Sequence, residues 1–390
     1  MPIADNSHQT KIRHLANKNI AVYRLTNLTL GLQGAKNPEQ STYIKNVEGK
    51  VTFVEQNEFG QTVDNSVDII YNQVYGLLGP TESGSGPSGP TGPPILTEWI
   101  LNTDFSGTSI DSINYYAYGN GKWVMVGSDS SGNYVILTTT DPTGNWDRVM
   151  VNALPVETNL YGVFYGDKWL IVGENITLTA TDPTVWTSML IEGSLYNVYY
   201  GNSTWIVTTI GNGIYVPTAL DDINTWTYVT LLEASYAGVQ YANNVWAIIG
   251  TAPGAGIVLT AENPIGPWIP NDQSFPNELL RCIVFGDGIW ALLSDTTLYT
   301  ATDPAGTWTA NTSITTVPND IAYGNGCWIY VDGQHNVYTA ADPRDAWAQD
   351  TSPSLTPSES MSNLTLIKYG GNTFVTTGID NGLQLFTFTE

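Results

Sequence analysis

The tryptophans of this chain recur in two series, and their spacing constrains the fold more than any other feature. The first series follows the pattern YGNGxW, with Phe374 in the seventh position. Its tryptophans are Trp123, Trp169, Trp205, Trp246, Trp290 and Trp328. The interval from Trp123 to Phe374 gives a repeat of about 42 residues, which is the period of a four-stranded propeller blade. This spacing therefore predicts one structural unit that is repeated seven times.

The second series is a turn followed by tryptophan, in the pattern TAxDPxxxW. Its members are Asp141 and Trp146, Asp182 and Trp186, Asp221 and Trp226, Asn263 and Trp268, Asp303 and Trp308, and Asp342 and Trp347. A seventh copy is missing before Glu390, whereas Trp99 precedes the first repeat without a turn of its own. We therefore expect the strand near 96–103 to pair with strands near 364–390 and to complete the last blade.

The second repeat shows how one unit divides into strands. LYGVFY, KWLIVG, ITLTAT and VWTSML are apolar or β-branched runs, separated by turns at Gly166-Asp167, Glu174-Asn175 and Asp182-Pro183. Each repeat is thus predicted to be a four-stranded meander. The predicted fold class is all-β: a seven-bladed β-propeller of four-stranded blades over 95–390, closed by an N-terminal strand.

Two shorter regions precede the propeller. Residues 1–78 contain the strand-like runs IAVYRLTNLTL, GKVTFVEQ and SVDIIYNQVYGLL. We expect a small β-rich anchoring domain that gains burial by oligomerising or by docking on another surface. The basic positions near its start, Lys11, Arg13, Lys18 and Arg24, indicate either a docking arm for an acidic surface or a solvated tail.

Residues 79–94 read GPTESGSGPSGPTGPP. Gly86, Gly89 and Gly92 each open a Gly-Pro-X triplet, and glycine at every third position is required at the axis of a collagen triple helix. Three triplets are too few to hold a trimer alone. The segment is therefore either a short collagen-like neck of a homotrimer or a stiff polyproline-II linker.

Charge narrows the range of partners. The propeller region has 6 basic and 28 acidic residues, a net charge of −22, so it repels polyanions and nucleic acid is an unfavourable partner. No apolar run is long enough for a membrane span and no secretory signal is visible, which predicts a protein made in the cytoplasm and not inserted in a membrane. Cys282 and Cys327 are expected to be free, buried thiols.

Differences between the repeats concentrate in the turn between the second and third strands. On a repeated scaffold, specificity is expected where the repeats differ. We therefore consider these turns candidate ligand-binding loops, with ordinary polar hairpin turns as the alternative. Their polar residues are Asp129, Asn133, Asn212, Asp295, Asp332, His335, Asp380 and Asn381.

No catalytic residue, metal site or cofactor is assigned from the sequence. His335 is the one histidine in the propeller, and no nucleophile elbow, zinc-spaced cysteines or phosphate-binding loop accompanies it. The Asp-Pro turns are expected to be structural, because Asp accepts backbone hydrogen bonds and Pro presets φ. The tryptophans are expected to fill the space between sheets, with sugar stacking as the alternative. Glycoside hydrolysis, which uses a pair of carboxyl groups, stays an alternative because so many acidic residues would form some close pairs.

The TAxDPxxxW turn resembles the Asp-box of sialidases and related propellers, SxDxGxTW. Five of the six copies keep Asp or Asn five residues before Trp, but the hydroxyl residue lies three positions before the acid instead of two. Sialidases also need three converging arginines, and only Arg148, Arg281 and Arg344 are available here. The resemblance implies a propeller and does not imply sialidase activity.

The overall arrangement is similar to viral fibre and spike proteins. A small anchoring domain, a Gly-Pro-X neck and a β-rich head are similar to fibres on phage capsids or tails, whose heads bind host surfaces. This resemblance implies a non-enzymatic virion fibre or decoration protein. It would be a homotrimer anchored to a capsid or tail protein through residues 1–78, and its propeller would bind a host receptor or glycan. The alternatives are a propeller glycan hydrolase of the tailspike or sialidase type and a purely structural capsid or tail component.

Overall fold

The computed structural model describes residues 42–47, 50–56, 62–63, 99–102, 110–152, 154–155, 157–314, 316–334, 336–350, 363–379 and 383–389. The chain divides into two units, Met1–Pro90 and Thr91–Glu390. Among the described residues, helix is limited to one 3₁₀ turn, Ile223–Thr225. The all-β fold class is therefore confirmed.

The first unit contains one antiparallel sheet. Its strands are, in spatial order, β1 (Thr42–Val47), β2 (Lys50–Gln56) and β3 (Thr62–Val63). The predicted run GKVTFVEQ corresponds to β2. The other two predicted runs and the Gly-Pro-X segment lie outside the described residues, so the domain bounds 1–78 and 79–94 stay predictions.

The second unit is a β-propeller whose sheets are mostly four-stranded antiparallel meanders. The first sheet consists of β5 (Ser112–Gly119), β6 (Lys122–Ser128), β7 (Tyr134–Thr139) and β8 (Asp147–Arg148). The next comprises β9 (Leu160–Tyr165), β10 (Trp169–Ala180), β11 (Thr187–Gly201), β12 (Thr204–Thr209), β13 (Gly213–Pro217) and β14 (Trp226–Thr230).

The remaining sheets continue the same order along the chain. One comprises β15 (Ser235–Ala242), β16 (Val245–Ala252), β17 (Ala255–Ala261), β18 (Ile269–Pro270) and β19 (Phe275–Pro276). Another comprises β20 (Leu280–Gly286), β21 (Ile289–Ser294), β22 (Leu298–Ala301) and β23 (Thr309–Ala310). The next comprises β24 (Pro318–Gly324), β25 (Cys327–Asp332), β26 (Val337–Ala340) and β27 (Ala348–Asp350). The last comprises β28 (Leu364–Gly370), β29 (Thr373–Ile379), β30 (Leu383–Thr389) and β4 (Ile100–Leu101).

Counted by hydrogen-bonded sheets, the described propeller has six blades, whereas the sequence predicts seven separate ones. The difference arises in the six-stranded sheet, which contains the second and third repeats. The first part of β11 pairs with β10, and the part from Leu195 onward pairs with β12. Positive φ values at Asn175 and Gly193, in the middle of β10 and β11, mark where these long strands change direction.

The propeller is closed by a strand from its beginning, as predicted. β4 pairs antiparallel with β30, where Leu101 lies opposite Phe386 and Ile100 lies opposite Thr387. Trp99 packs against Phe388 with ring centroids 5.7 Å apart. Residues from both ends of the propeller region thus share one sheet, which protects an edge that would otherwise lack a partner.

The first tryptophan series forms the core of each repeat. Its six indoles and Phe374 are almost fully buried. In every repeat the aromatic residue at the end of the innermost strand packs on this ring, with centroids between 4.6 and 5.3 Å apart. This repeated pair, Tyr118 with Trp123 in the first repeat, supplies large apolar contact area between strands.

The glycine of the YG motif allows neighbouring repeats to approach. A Cβ added at Gly119 would lie closer than 3.0 Å to the ring of Tyr165 in the next repeat. The same close approach joins Gly166 to Tyr200, Gly201 to Tyr241, Gly286 to Tyr323, Gly324 to Tyr369, and Gly370 to Tyr118. At these six positions a side chain would overlap the tyrosine of the following repeat, whereas the fourth repeat has Ala242 and is followed by Phe285.

Candidate functional site

The innermost strands of the propeller surround a central cavity of about 530 Å³. Each of them has a register shift near its start, which is typical of a β-bulge. A bulge re-aims a side chain at the point where the pairing is interrupted. The bulges therefore direct an extra residue of each strand toward the cavity.

The residues at these bulges form the first layer of the cavity wall. They are Asn114, Tyr161, Tyr196, Ala237, Arg281, Asn319 and Thr365. The bulge in β5 is close to Ser112, which pairs with Ser128 immediately before the turn between the second and third strands. This layer therefore lies toward the face of the propeller that carries those turns, and we call it the mouth layer.

Asparagine side chains connect the innermost strands to one another. Asn114 Nδ2 donates to Leu160 O at 2.7 Å, and Asn319 Nδ2 donates to Leu364 O at 2.6 Å. Asn197 Nδ2 donates in the same way to Ala237 O at 2.9 Å. These bonds satisfy backbone carbonyls near the bulges of the following strand, and they hold the mouth layer in a fixed arrangement.

A buried ion pair lies deeper in the cavity wall. Lys368 Nζ on β28 donates to Asp320 Oδ2 on β24 at 2.5 Å, and Ile367 N donates to the same oxygen at 3.0 Å. The Asp320 side chain is only 4% exposed and that of Lys368 is 20% exposed. Lys368 Nζ also lies 5.1 Å from the ring centroid of Tyr115, within reach of a cation–π interaction.

Burial and charge act in opposite directions on this cluster. Burial lowers the pKa of Lys368, but the attraction and hydrogen bond of the Asp320 carboxylate, together with Tyr115 and Cys282, outweigh it and raise that pKa above its ordinary value. Burial, followed by the charge of Asp320, raises the pKa of the Cys282 thiol. Lys368 is therefore charged and Cys282 is a neutral thiol at physiological pH, which makes Cys282 a weak nucleophile. Cys282 is a free thiol and Cys327 is buried, as expected.

Two of the candidate loop residues organise their own turns. Asp129 Oδ1 accepts from Ser131 N and Asn133 N, both at 3.0 Å, and its Oδ2 accepts from the Asn133 side chain. Asp332 does the same with the backbone of Gln334 and the backbone and side chain of Asn336. These hydrogen bonds hold the two turns in shape, and a part of Asp129 and Asp332 in ligand binding stays a prediction.

The other described candidates, Asp295 and Asn212, take part in hydrogen bonds near their own turns. Asp295 Oδ1 accepts from Leu279 N at 2.9 Å, and Asn212 O accepts from Leu231 N at 2.7 Å. His335, Asp380 and Asn381 lie outside the described residues. None of the described candidates lines the central cavity.

The Asp-Pro turns have the geometry of structural turns. In each, Oδ1 of the acid or Asn263 accepts from the backbone amide two residues later, at 2.9–3.0 Å. In the third copy this residue is Asp222 and not Asp221, because Asp222 begins the 3₁₀ turn. At Asp182, hydrogen bonds from Thr184 lower the pKa to about 2.

A second asparagine pattern links the outer strands to these turns. Asn271 Nδ2 donates to Pro304 O and Gly306 O in the Asp-Pro turn of the following sheet. Asn311 donates to Pro343 O and Asp345 O, and Asn102 donates to Pro142 O and Gly144 O. All three asparagines follow a tryptophan in the pattern WxxN, so Trp99 and Asn102 occupy the same positions as their counterparts in other sheets.

Sequence reasoning missed the residues of the cavity. The signal was present in the innermost strands, where LRCIVFG, PNDIAYG and LTLIKYG carry ionisable side chains in runs that are otherwise apolar. Aligning the repeats on the YG motif would have placed these residues on one ring. The turns give a more visible signal, because the repeats differ there in length as well as in residue type.

No protein-family model matches this sequence, and no curated protein is significantly similar to it. Solved structures are similar in fold. YCF48 bound to D1 peptide has a TM-score of 0.59 at 18% identity, over 75% of this chain and 96% of that chain. YCF48 from Cyanidioschyzon merolae gives 0.56 at 18%, over 75% and 98%. A chain of the Mitotic Checkpoint Complex gives 0.57 at 8%, over 80% and 97%. At these identities the likeness shows the propeller fold alone.

Among the described residues, no group of three or more His, Cys, Asp or Glu side chains could hold a metal ion. No described helix is long and apolar enough to cross a membrane.

Proposed function

We propose that this chain is a non-enzymatic binding protein of a virion, a fibre or decoration protein whose propeller binds a host-surface ligand at the mouth of its central cavity. The observation that carries the proposal is the cavity itself. It has a size typical of ligand sites, and its mouth layer combines exposed Tyr196 with Arg281 and amide side chains. Groups of this kind hold a ligand by stacking and hydrogen bonding.

The chemistry of the wall favours binding over catalysis. The acid nearest to the cavity, Asp320, is paired with Lys368 and with the backbone of Ile367. The raised pKa of Cys282 keeps its thiol protonated. A nucleophile or general base would need a free, activated group within reach of a substrate, and these residues do not supply one.

We also propose that the six-stranded sheet is two structural repeats, so that the propeller has seven units around its axis. The close approach of glycine to tyrosine supports this count. The contact of Gly119 with Tyr165 links the first repeat to the six-stranded sheet, and the contact of Gly166 with Tyr200 links the two repeats inside that sheet. The contact of Gly370 with Tyr118 links the last repeat to the first. At the remaining step, Ala242 and Phe285 belong to one apolar cluster.

The attachment to a virion and the homotrimer are proposals that rest on the sequence of residues 1–94. Analytical ultracentrifugation of the full chain tests the oligomer directly. A trimeric mass is expected. A monomeric mass would favour the alternative that the Gly-Pro-X segment is a linker.

Adsorption of the labelled full chain to candidate host cells tests the binding function. We expect Tyr196→Asp to abolish adsorption, because it places a charge in the mouth layer. Tyr228→Asp is the matched control, since Tyr228 is similarly exposed but lies on the outer strand β14. Equal adsorption of both variants would contradict binding at the cavity mouth, and release of reducing ends from cell polysaccharide would contradict a non-enzymatic function.

A further inference from the structure

The arginine in the mouth layer differs from most other basic residues of the propeller. Lys122, Arg148, Arg344 and Lys368 each form an ion pair with an aspartate. Among the described residues, Arg281 belongs to none of these pairs, although acidic residues outnumber basic ones 28 to 6 in this region. It is exposed and lines the cavity. An exposed arginine that belongs to none of the ion pairs among the described residues is available to a carboxylate from outside.

An aromatic pair lies in the same layer. The rings of Tyr161 and Tyr196 are 6.3 Å apart between centroids and inclined by 40°. Tyr196 is 43% exposed, so this pair presents aromatic surface to a ligand. Around the propeller axis, β15 lies between the strands that carry Tyr196 and Arg281, and it contributes the small residue Ala237 to the cavity lining.

The two sides of the cavity differ in their lining. Next to the strands that carry the tyrosine pair, β15 contributes the small residues Ala237 and Gly238. The ion pair of Asp320 and Lys368 lies on other strands, β24 and β28. The tyrosine side of the cavity therefore has small, uncharged neighbours, in the layer that also contains Arg281.

We infer that the mouth of the cavity binds a saccharide unit that carries one carboxylate, with Arg281 as its anchor and Tyr161 and Tyr196 as the surface on which the sugar ring packs. This inference rests on the proposed function and names the ligand class. A guanidinium holds a carboxylate through two parallel hydrogen bonds, while the amide groups of the mouth layer suit hydroxyl groups. The charge of −22 disfavours a polyanionic chain, so the ligand is a single acidic unit, either terminal or widely spaced in a neutral polymer.

Isothermal titration calorimetry of the full chain tests this class. The ligands are methyl glucuronide and methyl galacturonide, each beside its neutral glucoside or galactoside, and triglycine as a carboxylate without a sugar ring. We expect at least one acidic glycoside to bind about tenfold or more tightly than its neutral counterpart, as expected for a hydrogen bond to a charged group. Triglycine should bind no better than the neutral sugars. Equal binding of acidic and neutral sugars, tighter binding of triglycine, or no binding of any sugar would each overturn the inference.

Two variants with the same change in net charge locate the anchor. Arg281→Gln should remove the preference for the acidic sugar and leave the weak affinity for the neutral sugar unchanged. Lys168→Gln should keep the preference, because Lys168 also belongs to none of the ion pairs among the described residues but does not line the cavity. If both variants lose the preference for the acidic sugar, only net charge matters, and the assignment of Arg281 as the anchor is overturned.

Cell adsorption distinguishes failure of this inference from failure of the proposed function. If wild type and Arg281→Gln adsorb equally well, the ligand is not an acidic saccharide held by Arg281, although the binding function stands. If wild type does not adsorb to any host cell, the proposed function itself is wrong.

Discussion

The indole nitrogen of Trp99 donates a hydrogen bond to Asp350 Oδ2 at 3.2 Å, which joins two positions 251 residues apart. Trp99 precedes β4 in the last sheet, and Asp350 ends β27 in the sheet before it. The same indole packs on Phe388 of its own sheet. One side chain near the beginning of the propeller thus connects two sheets formed by the last part of the chain.

Replacing Trp99 should therefore destabilise the whole propeller. We expect Trp99→Ala to lower the free energy of unfolding by about 3–5 kcal/mol, as found for buried tryptophan side chains. Urea unfolding of the full chain measures the change. Ile100→Ala is the control, because Ile100 is 45% exposed and its loss should cost little. Similar unfolding curves for Trp99→Ala and wild type would contradict the closure of the ring by this residue.

Gly324 should not tolerate even one added methyl group. A Cβ there would overlap the ring of Tyr369, so Gly324→Ala is expected to cost about 1–3 kcal/mol through overpacking. Thermal unfolding followed by tryptophan fluorescence reports the change. At Gly144 the nearest heavy atom would be 3.7 Å from the new Cβ, so Gly144→Ala should be nearly neutral. If both variants unfold alike, the contact between repeats is not what requires glycine.

Replacing one partner of the ion pair in the cavity should lower the free energy of unfolding more than replacing both partners. Lys368→Met leaves the Asp320 carboxylate buried without its cation, which typically destabilises a protein by about 3–5 kcal/mol. The double variant Asp320→Asn/Lys368→Met should recover much of this loss, because no buried charge remains. A double-mutant cycle from denaturant unfolding gives the coupling energy. Strictly additive effects would mean that the two groups do not interact as the geometry indicates.

Alkaline pH should destabilise the propeller through its buried tyrosines. Burial raises the pKa of Tyr199 to about 12, while a tyrosine in an unfolded chain ionises near pH 10, at about its reference pKa. The folded state thus retains a proton that the unfolded state loses. The stabilisation is complete below about pH 10 and is lost as the pH rises toward 12.

Urea midpoints at pH 8, 10 and 11 measure this loss. The midpoint of wild type should fall relative to that of Tyr199→Phe as the pH rises, because phenylalanine has no proton to retain. A constant difference between the two proteins across this range would contradict the raised pKa.

The fold was largely predictable because its signals are local and repeated. The Trp spacing, the Asp-Pro turns and the run LYGVFY, which corresponds to β9, all follow from period and turn chemistry. The pairing of β4 with β30 was also predictable, because Trp99 lacked a turn of its own. The joining of two repeats into one sheet was not, since it depends on whether β11 continues past Gly193 without a break in pairing.

The site was harder to predict than the fold. The candidate turn residues were selected because they are polar and variable, but Asp129 and Asp332 use these same groups to close their own hairpins. The cavity residues come from seven distant segments, and only the bulges bring them to one wall. A bulge depends on hydrogen-bond register between strands, which residue types alone do not determine.

The pairing of β4 with β30 also determines when, during synthesis, the propeller can close. Ile100 leaves the ribosome early, but its partner Thr387 is nearly 290 residues further along. At about 5–20 residues per second, the first strand waits on the order of tens of seconds for its place in the last sheet. Throughout that time the growing ring is open, and its final edge becomes covered only when synthesis of the propeller is almost complete.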